Sequence, residues 1–378
     1  MIHQFRVQNF KSIIDVRVEM TPITVLVGRS GTGKTSFVQA IRFLRDVLGS
    51  NPQPQPTWPN LRPAFALDSA TSFFVEFSVT GVPDRFKYDL VINKRGPGHA
   101  PESERLSVAE RCLFHQESTG KGGQNRWTVE PELLQVPNPG PIALGRIPSI
   151  PEIVIAFTAL TSGIGCYTFF DRVLCQPRRE SPQRRGLADD GSNYLDVIGE
   201  ITMNLQDLIS RKSIVAALQR VNPSISSVEL NDLQNPASVV VGHRLNGKTL
   251  ALDLSQESDG LRRFYANLLA LYQMPPKQTS IFEHPEDGIH PGALSMLAEE
   301  FQAAPNQGRG QVILTTHSPQ LLDHFDVDQI RVVELDDLKT RIGPISAEQK
   351  EAIRDGLLEP GELLTVDPAR IQAEATGA

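Results

Sequence analysis

Cysteine is scarce in this sequence, with three in 378 residues. Cys112, Cys166 and Cys175 are too few and too scattered for a disulfide framework or a zinc site, and they read as reduced thiols. Long apolar runs are also missing. No stretch reaches the roughly 20 residues of a bilayer-spanning helix, and the start, Met1-Ile2-His3-Gln4-Phe5-Arg6, lacks the apolar core of a signal peptide. No membrane partner is expected, and the expected compartment is the cytoplasm. Positive charge is not in excess: 37 Lys and Arg stand against 44 Asp and Glu, a formal net charge of −7. A protein that coats nucleic acid carries the opposite balance. The basic cluster Arg172 to Arg185, with Arg178, Arg179, Arg184 and Arg185, leaves DNA contact open, but its Pro and Ser neighbours make it read as a solvated loop. There is no internal repeat and no heptad run long enough for a coiled coil.

What is present is a globular composition, 40% apolar and 21% charged, organised around one stretch. Ile23 to Val27 reads as a buried strand that runs into Gly28-Arg29-Ser30-Gly31-Thr32-Gly33-Lys34-Thr35-Ser36 and then into a helix with Phe37, Ala40, Ile41, Leu44 and Leu48 on one face. The loop fits the P-loop pattern, G-x-x-x-x-G-K-[ST]. Its glycines remove Cβ atoms that would keep backbone N–H groups from closing around a polyphosphate, and the helix N-terminus is electropositive. Lys34 is placed to reach the β- and γ-phosphates of ATP, and the Thr35 hydroxyl to ligate Mg²⁺.

Upstream, residues 3–9 and Ile14 to Val18 read as a strand pair joined by a turn at Phe10 to Ile13. Five prolines between Asn51 and Pro63 preclude helix there. Phe73 to Thr80 and Phe86 to Asn93 read as a hairpin, with Leu106 to His115 and Arg126 to Val129 as further strands of an antiparallel subsheet. Arg95 to Pro101 and Pro137 to Pro151 read as loops. Glu152 to Cys166 and Asn193 to Val221 read as helices, and strands return at 228–230, 238–243 and 249–252. Ser258-Asp259-Gly260 opens a helix through about Tyr272, and two short strands, Thr279 to Phe282 and Gln311 to Leu314, suit buried parallel neighbours of the P-loop strand with Pro291 to Ala304 as their crossover. Beyond His317 the spacing shows one strand, Gln329 to Glu334, and a helical tail.

Both short strands end in polar clusters. Ile281 to Pro291 puts Glu283, His284 and Glu286 at the first strand end, where a carboxylate can hold a metal's water shell. Leu314 to Pro319 puts His317 at the second, within reach of a γ-phosphate.

In that order, P-loop, Ser-Asp-Gly, acidic strand end and Thr-Thr-His, the sequence resembles the ABC-type ATPases of the SMC, RecF and OLD group, closest to the RecF-like ATPases. Phe5 to Ile13 resembles the group's opening strand and turn. Leu187 to Asn193, Ser258 to Gly260, Glu283 to Pro291, Thr315 to Pro319 and Gly361-Glu362-Leu363 resemble its other motifs. The resemblance implies an α/β, ABC-type P-loop NTPase head over 1–378 with a mixed or parallel core sheet. Its parts are a P-loop segment (1–50), an antiparallel β subdomain (70–135), an inserted helical lobe (150–225), a signature, Walker B and switch-His segment (226–335) and a tail (336–378). It also implies that Ser258, Asp259 and Gly260 cap the γ-phosphate held by a second subunit, so that a homodimer forms on ATP. His284 departs from the pattern, since the group carries the water-activating acid there. Glu283 matches the metal-associated acid and Glu286 the fourth position. The expectation is a slow ATPase acting on DNA or on an effector protein, a nuclease or toxin, in DNA repair or phage defence. The alternative is a non-hydrolysing nucleotide-dependent sensor. With only some sixty residues after His317, a second catalytic domain is not expected.

Overall fold

The computed structural model describes residues 1–49, 69–92, 101–118, 125–129, 144, 150–176, 186–203, 208–231 and 237–372. They form two compact units, one of Met1–Ile164, Ile330–Glu351 and Ala369–Ala378, the other of Gly165–Gln329 and Ala352–Pro368.

The first unit begins with β1 (Ile2–Phe10) and β2 (Ile13–Glu19), which pair antiparallel, and β3 (Ile23–Val27), buried at all five positions. Helix α1 (Lys34–Gly49) follows the P-loop and buries the expected face, Phe37, Ala40, Ile41, Leu44 and Leu48. Phe37 meets Phe5 of β1 edge-on at 5.5 Å, and Phe43 stacks on Phe73 at 5.6 Å. The hairpin of β4 (Thr71–Phe77) and β5 (Phe86–Ile92) joins a seven-stranded antiparallel sheet completed by β6 (Pro101–Val108), β7 (Arg111–Ser118) and β8 (Asn125–Val129). Alternating burial along β4 and β5 seats Phe73, Phe77, Phe86 and Tyr88 in the core, while Ser72, Phe74, Glu76, Lys87 and Asp89 lie on the more open face.

The expected single strand Leu106 to His115 is instead a tight turn between β6 and β7. Ala109 takes φ 49°, a left-handed turn conformation that a run of β-rich residues does not announce. Helix α2 (Pro151–Leu160) is shorter than expected: the chain leaves helical geometry at Thr161 (φ −111°, ψ −91°), and Gly163 closes the turn by donating its N–H to the Thr158 carbonyl at 2.8 Å, where a Cβ would strike the Ala159 carbonyl oxygen. Residues 164–167 form β9 (Ile164–Tyr167) instead of more helix.

The second unit continues with α3 (Asp171–Leu174), α4 (Tyr194–Met203) and α5 (Leu208–Val221), the last two standing where one long helix was expected. A three-stranded antiparallel sheet follows, β10 (Ile225–Asn231), β11 (Ser238–Leu245) and β12 (Lys248–Asp253). Then come α6 (Asp259–Tyr272), β13 (Thr279–Glu283), α7 (Pro291–Asn306), β14 (Gln311–Thr315) and the short α8 (Pro319–Leu322). Strands β13 and β14 are buried throughout and pair in parallel, Thr279 opposite Gln311 and Glu283 opposite Thr315, with α7 as their crossover. Phe282 packs between Tyr167 (5.3 Å) and Phe301 (4.8 Å).

The chain then returns to the first unit with β15 (Ile330–Asp336), parallel to β3, and β16 (Lys339–Pro344), antiparallel to β15. The sheet there is mixed. Strand β16 is an addition to the one tail strand expected, its Lys, Arg, Gly and Pro obscuring the pattern, and positive φ at Asp337 and Leu338 makes the hairpin turn. Helix α9 (Ala347–Arg354) and a 3₁₀ turn, Pro360–Leu364, close the described chain. The proline-rich 51–63, the loop 95–100 and the basic cluster 178–185 lie outside the described residues, as does most of 137–151. Among the described residues no helix is long and apolar enough to cross a membrane.

Candidate functional site

The P-loop is shaped by contacts that leave no room for side chains at two glycines. Gly28 has φ 153° and a Cβ there would lie 2.1 Å from the Val333 carbonyl oxygen of β15; Gly33 has φ 108° and its Cβ would lie 2.1 Å from Oγ1 of Thr340 on β16. Bare backbone lines the loop as a result. Thr32 donates its N–H and hydroxyl to the Arg29 carbonyl, which closes the turn. Lys34 is buried and curls back over the loop, its Nζ donating to the carbonyls of Gly28 (2.7 Å) and Arg29 (2.9 Å). Arg29, Ser30, Gly31 and Thr35 line the loop's solvent side, with Ser36 half-buried. Thr340 is the residue that sequence reasoning missed here: its Oγ1 donates to the Thr32 carbonyl at 2.9 Å and meets Ser12 Oγ at 2.7 Å, and Ser12 Oγ bonds Ser36 Oγ at 3.3 Å. The turn after β1 and the strand β16 thus brace the P-loop from beneath.

In the second unit the acidic strand end and the Thr-Thr-His turn interlock. Glu286 Oε1 accepts from the Thr316 hydroxyl and from the His317 N–H, both at 2.8 Å. Burial pushes the Glu286 carboxyl up, but the neighbouring His284 imidazole, the His317 N–H and the Thr316 hydroxyl outweigh it and hold the group below its ordinary value. His284 extends the β13–β14 ladder by one bond, N–H to Thr315 O at 3.1 Å, and then turns left-handed at φ 49°. Histidine is among the residue types enriched in that region, which costs bulkier residues more. Its ring stacks on His317 at 4.9 Å with planes 7° apart, and Nδ1 lies 3.8 Å from Glu286 Oε1. Glu283 is buried and accepts from Thr168 Oγ1 at 3.2 Å. Thr168, another residue the sequence did not single out, is held by its N–H on the Asp189 carbonyl. Asn193 folds that segment by accepting from the Ala188 N–H and donating to the Gly186 carbonyl. The motif Leu187 to Asn193 therefore supports Glu283 through Thr168.

Ser258 N-caps α6, its Oγ accepting from the Leu261 N–H at 3.3 Å. Arg262, buried one turn later, bonds Asp171 and the carbonyls of Ser255 and Glu257, which fixes the approach to Ser258-Asp259-Gly260. Gly260 rests on the loop after Glu286: a Cβ there would come 2.7 Å from the Gly288 carbonyl oxygen. The start of α6 thus packs directly on the loop that follows the acidic strand end.

The sequence matches the family described as "AAA domain, putative AbiEii toxin, Type IV TA system" over residues 23–323. The chain belongs to that family. Its fold is that of the SMC head: it is similar to an SMC head bound to the C-terminal winged-helix domain of ScpA (TM-score 0.58, 14% identity, 92% of this chain and 99% of that one). It is likewise similar to the Smc head with an extended coiled coil from Pyrococcus furiosus, bound to the C-terminal domain of ScpA (TM-score 0.56, 12% identity, 94% and 99%). A curated relative, the OLD nuclease of Thermus scotoductus, is 23% identical over 372 residues, and the match spans 93% of this chain but 66% of the relative. The chain thus combines membership of an AAA-domain family with an ABC-like P-loop fold of the SMC-head kind.

Two predictions follow from this geometry. Thr340→Val keeps shape but removes the hydroxyl that holds the Thr32 carbonyl, so ATP affinity measured by calorimetry should fall several-fold, in line with about 1 kcal/mol for a hydrogen bond. Glu286 has a depressed pKa, so its stabilisation is present above its ordinary value of 4.5 and is lost as pH falls below that. Unfolding midpoints of Glu286→Gln should therefore lie below wild type near neutral pH and converge with it in acid; parallel curves across the range would contradict the assignment.

Proposed function

We propose that this chain is an ATP-driven switch: it binds Mg-ATP at the P-loop, pairs with a second copy on it, hydrolyses it slowly and acts on DNA or an effector protein. The observation that carries the reading is the P-loop cradle, where any Cβ at Gly28 or Gly33 would strike a neighbour. Only bare backbone fits, as close approach to a polyphosphate requires. Lys34 supplies the positive charge for the β- and γ-phosphates. The Thr35 hydroxyl and the Glu283 carboxylate are hard oxygen donors of the kind Mg²⁺ takes, and among the described residues no three His, Cys, Asp or Glu side chains gather as a cage. When bound, Mg²⁺ would neutralise phosphate charge.

The protein's own chemistry lies at His284. Glu286, held ionised, favours the proton on the facing Nδ1 of His284, which leaves the lone pair on Nε2 as the base for a water. His317 is the γ-phosphate sensor, its backbone tied to the same carboxylate. Ser258, Asp259 and Gly260 at the start of α6 suit the phosphate of a second copy, because the chain carries one P-loop and a symmetric sandwich needs two. A DNA or genome-defence role draws support from the OLD nuclease and SMC relatives. The second reading, a sensor that binds without turnover, is favoured by His284 standing where an acid is usual and by its stacking on His317.

Lys34→Ala should lower ATP affinity at least tenfold, about 1.4 kcal/mol, and Ser258→Arg should abolish an ATP-dependent dimer in sedimentation while leaving nucleotide binding intact. A wild type that stays monomeric at saturating ATP counts against the sandwich. His284→Glu separates the two readings: turnover rising several-fold at constant ATP affinity marks a slow ATPase, with wild-type activity falling in acid as the imidazole protonates. No turnover in either protein marks the sensor.

A further inference from the structure

Helix α6 carries two polar groups that the site described so far does not use. Asn267 is 1% exposed, and its Oδ1 has no hydrogen-bond partner among the described residues, although its Nδ2 donates to the Arg263 carbonyl at 2.9 Å. Nε of Arg263, one turn earlier, is buried and likewise lacks a partner, while Nη1 of the same guanidinium donates to the Phe169 carbonyl at 3.1 Å. A buried acceptor and a buried donor left in this state cost free energy unless something bridges them.

Both side chains line one small cavity together with Glu283, His284 and Asp287, walled by Tyr167, Phe169, Phe282 and Pro285. Its volume is about 10 Å³, and roughly 10–15 Å³ on that measure holds a single water, which needs two to four polar partners. The cavity supplies them: a donor in Arg263 Nε, an acceptor in Asn267 Oδ1, and the polar end of β13. Gly288, in the loop that follows, lies close beside Arg263, since a Cβ there would be 3.2 Å from Arg263 Nε.

We propose that Arg263 and Asn267 hold one ordered water against the Glu283–His284 strand end, and that through it the signature helix α6 positions the groups that hydrolyse ATP. Arg263 and Asn267 are then positioning residues. Contact at Ser258 by a second copy would reach Glu283 and His284 along a single rigid helix, by way of that water. The kinetic part of this inference rests on the ATPase reading; the water itself does not.

The tests keep the two apart. A high-resolution crystal structure of the full chain should show density within hydrogen-bond distance of both Arg263 Nε and Asn267 Oδ1; a cavity closed by side-chain rearrangement overturns the proposal. In solution, Asn267→Leu, close in volume and without the acceptor, should lower kcat about tenfold with ATP affinity within about twofold, and Arg263→Gln should do the same. Asn267→Asp, which keeps an acceptor oxygen, should recover most of the turnover. Unchanged turnover in Asn267→Leu, or equal losses in affinity and turnover, overturns the positioning role. A wild type that binds ATP without hydrolysing it, or binds none, refutes the ATPase reading instead, and the crystallographic result then decides the water alone.

Discussion

A polyphosphate can be gripped by backbone N–H groups only where the chain bends without Cβ atoms in the way, and the rest of this protein is arranged around that requirement. Gly28 and Gly33 are bare, and the space their side chains would take is filled from β15 by the Val333 carbonyl and from β16 by Thr340. Those two strands arrive some 300 residues after the loop they support. The chain must therefore leave the first unit, build the second and return before the P-loop is complete. A local motif acquires a global dependence, and a change at Thr340 acts on the nucleotide loop through Thr32 and Ser12.

The second unit applies the same logic with a carboxylate in place of a glycine. Glu286 bonds a side chain and a backbone N–H of the turn at the end of β14, so the ends of two parallel strands are tied by one group. Parallel neighbours buried on both faces have their chemistry at their C-terminal ends, where chain polarity collects loops. Glu283, His284, Thr316 and His317 fall there because β13 and β14 share register. Thr168 and the Asn193-folded segment hold Glu283 from a third direction.

The P-loop, the N-capped helix α6 and the two acidic or histidine-bearing strand ends were legible in the sequence because each is written in consecutive residues with a known physical use. The face of α1 was legible because its apolar period is unbroken. What escaped was set by distant partners or by single backbone torsions. Ala109 turns left-handed inside a run of strand-forming residues, and α2 ends in a turn at Thr161 that Gly163 closes on the Thr158 carbonyl, neither of which alters the apolar pattern. Strand β16 reads Lys-Thr-Arg-Ile-Gly-Pro, poor in β-formers, and exists because β15 offers it an edge. Thr168, Thr340, Arg263 and Asn267 are ordinary residue types whose importance lies in what they touch, 115 residues away for Thr168 and 308 for Thr340.

His284 shows how backbone and chemistry meet at one position. The ladder with β14 holds its N–H on Thr315, and the next residues must swing Glu286 back under Thr316, which forces φ 49° at residue 284. A histidine tolerates that conformation better than most non-glycine residues, and its flat ring fits against His317 in parallel. A glutamate there would offer two acceptor oxygens in place of one lone pair, but it would carry the same torsion without the stacking, at a cost on the order of 1–3 kcal/mol for a strained backbone site. The imidazole thus trades acceptor capacity for a well-packed turn. Because Glu286 is held ionised beside it, the tautomer that presents Nε2 as acceptor is favoured by the same carboxylate that fixes the His317 turn. The orientation of the His284 ring and the position of the His317 turn are consequently coupled through a single side chain, and a shift of either strand end reaches both.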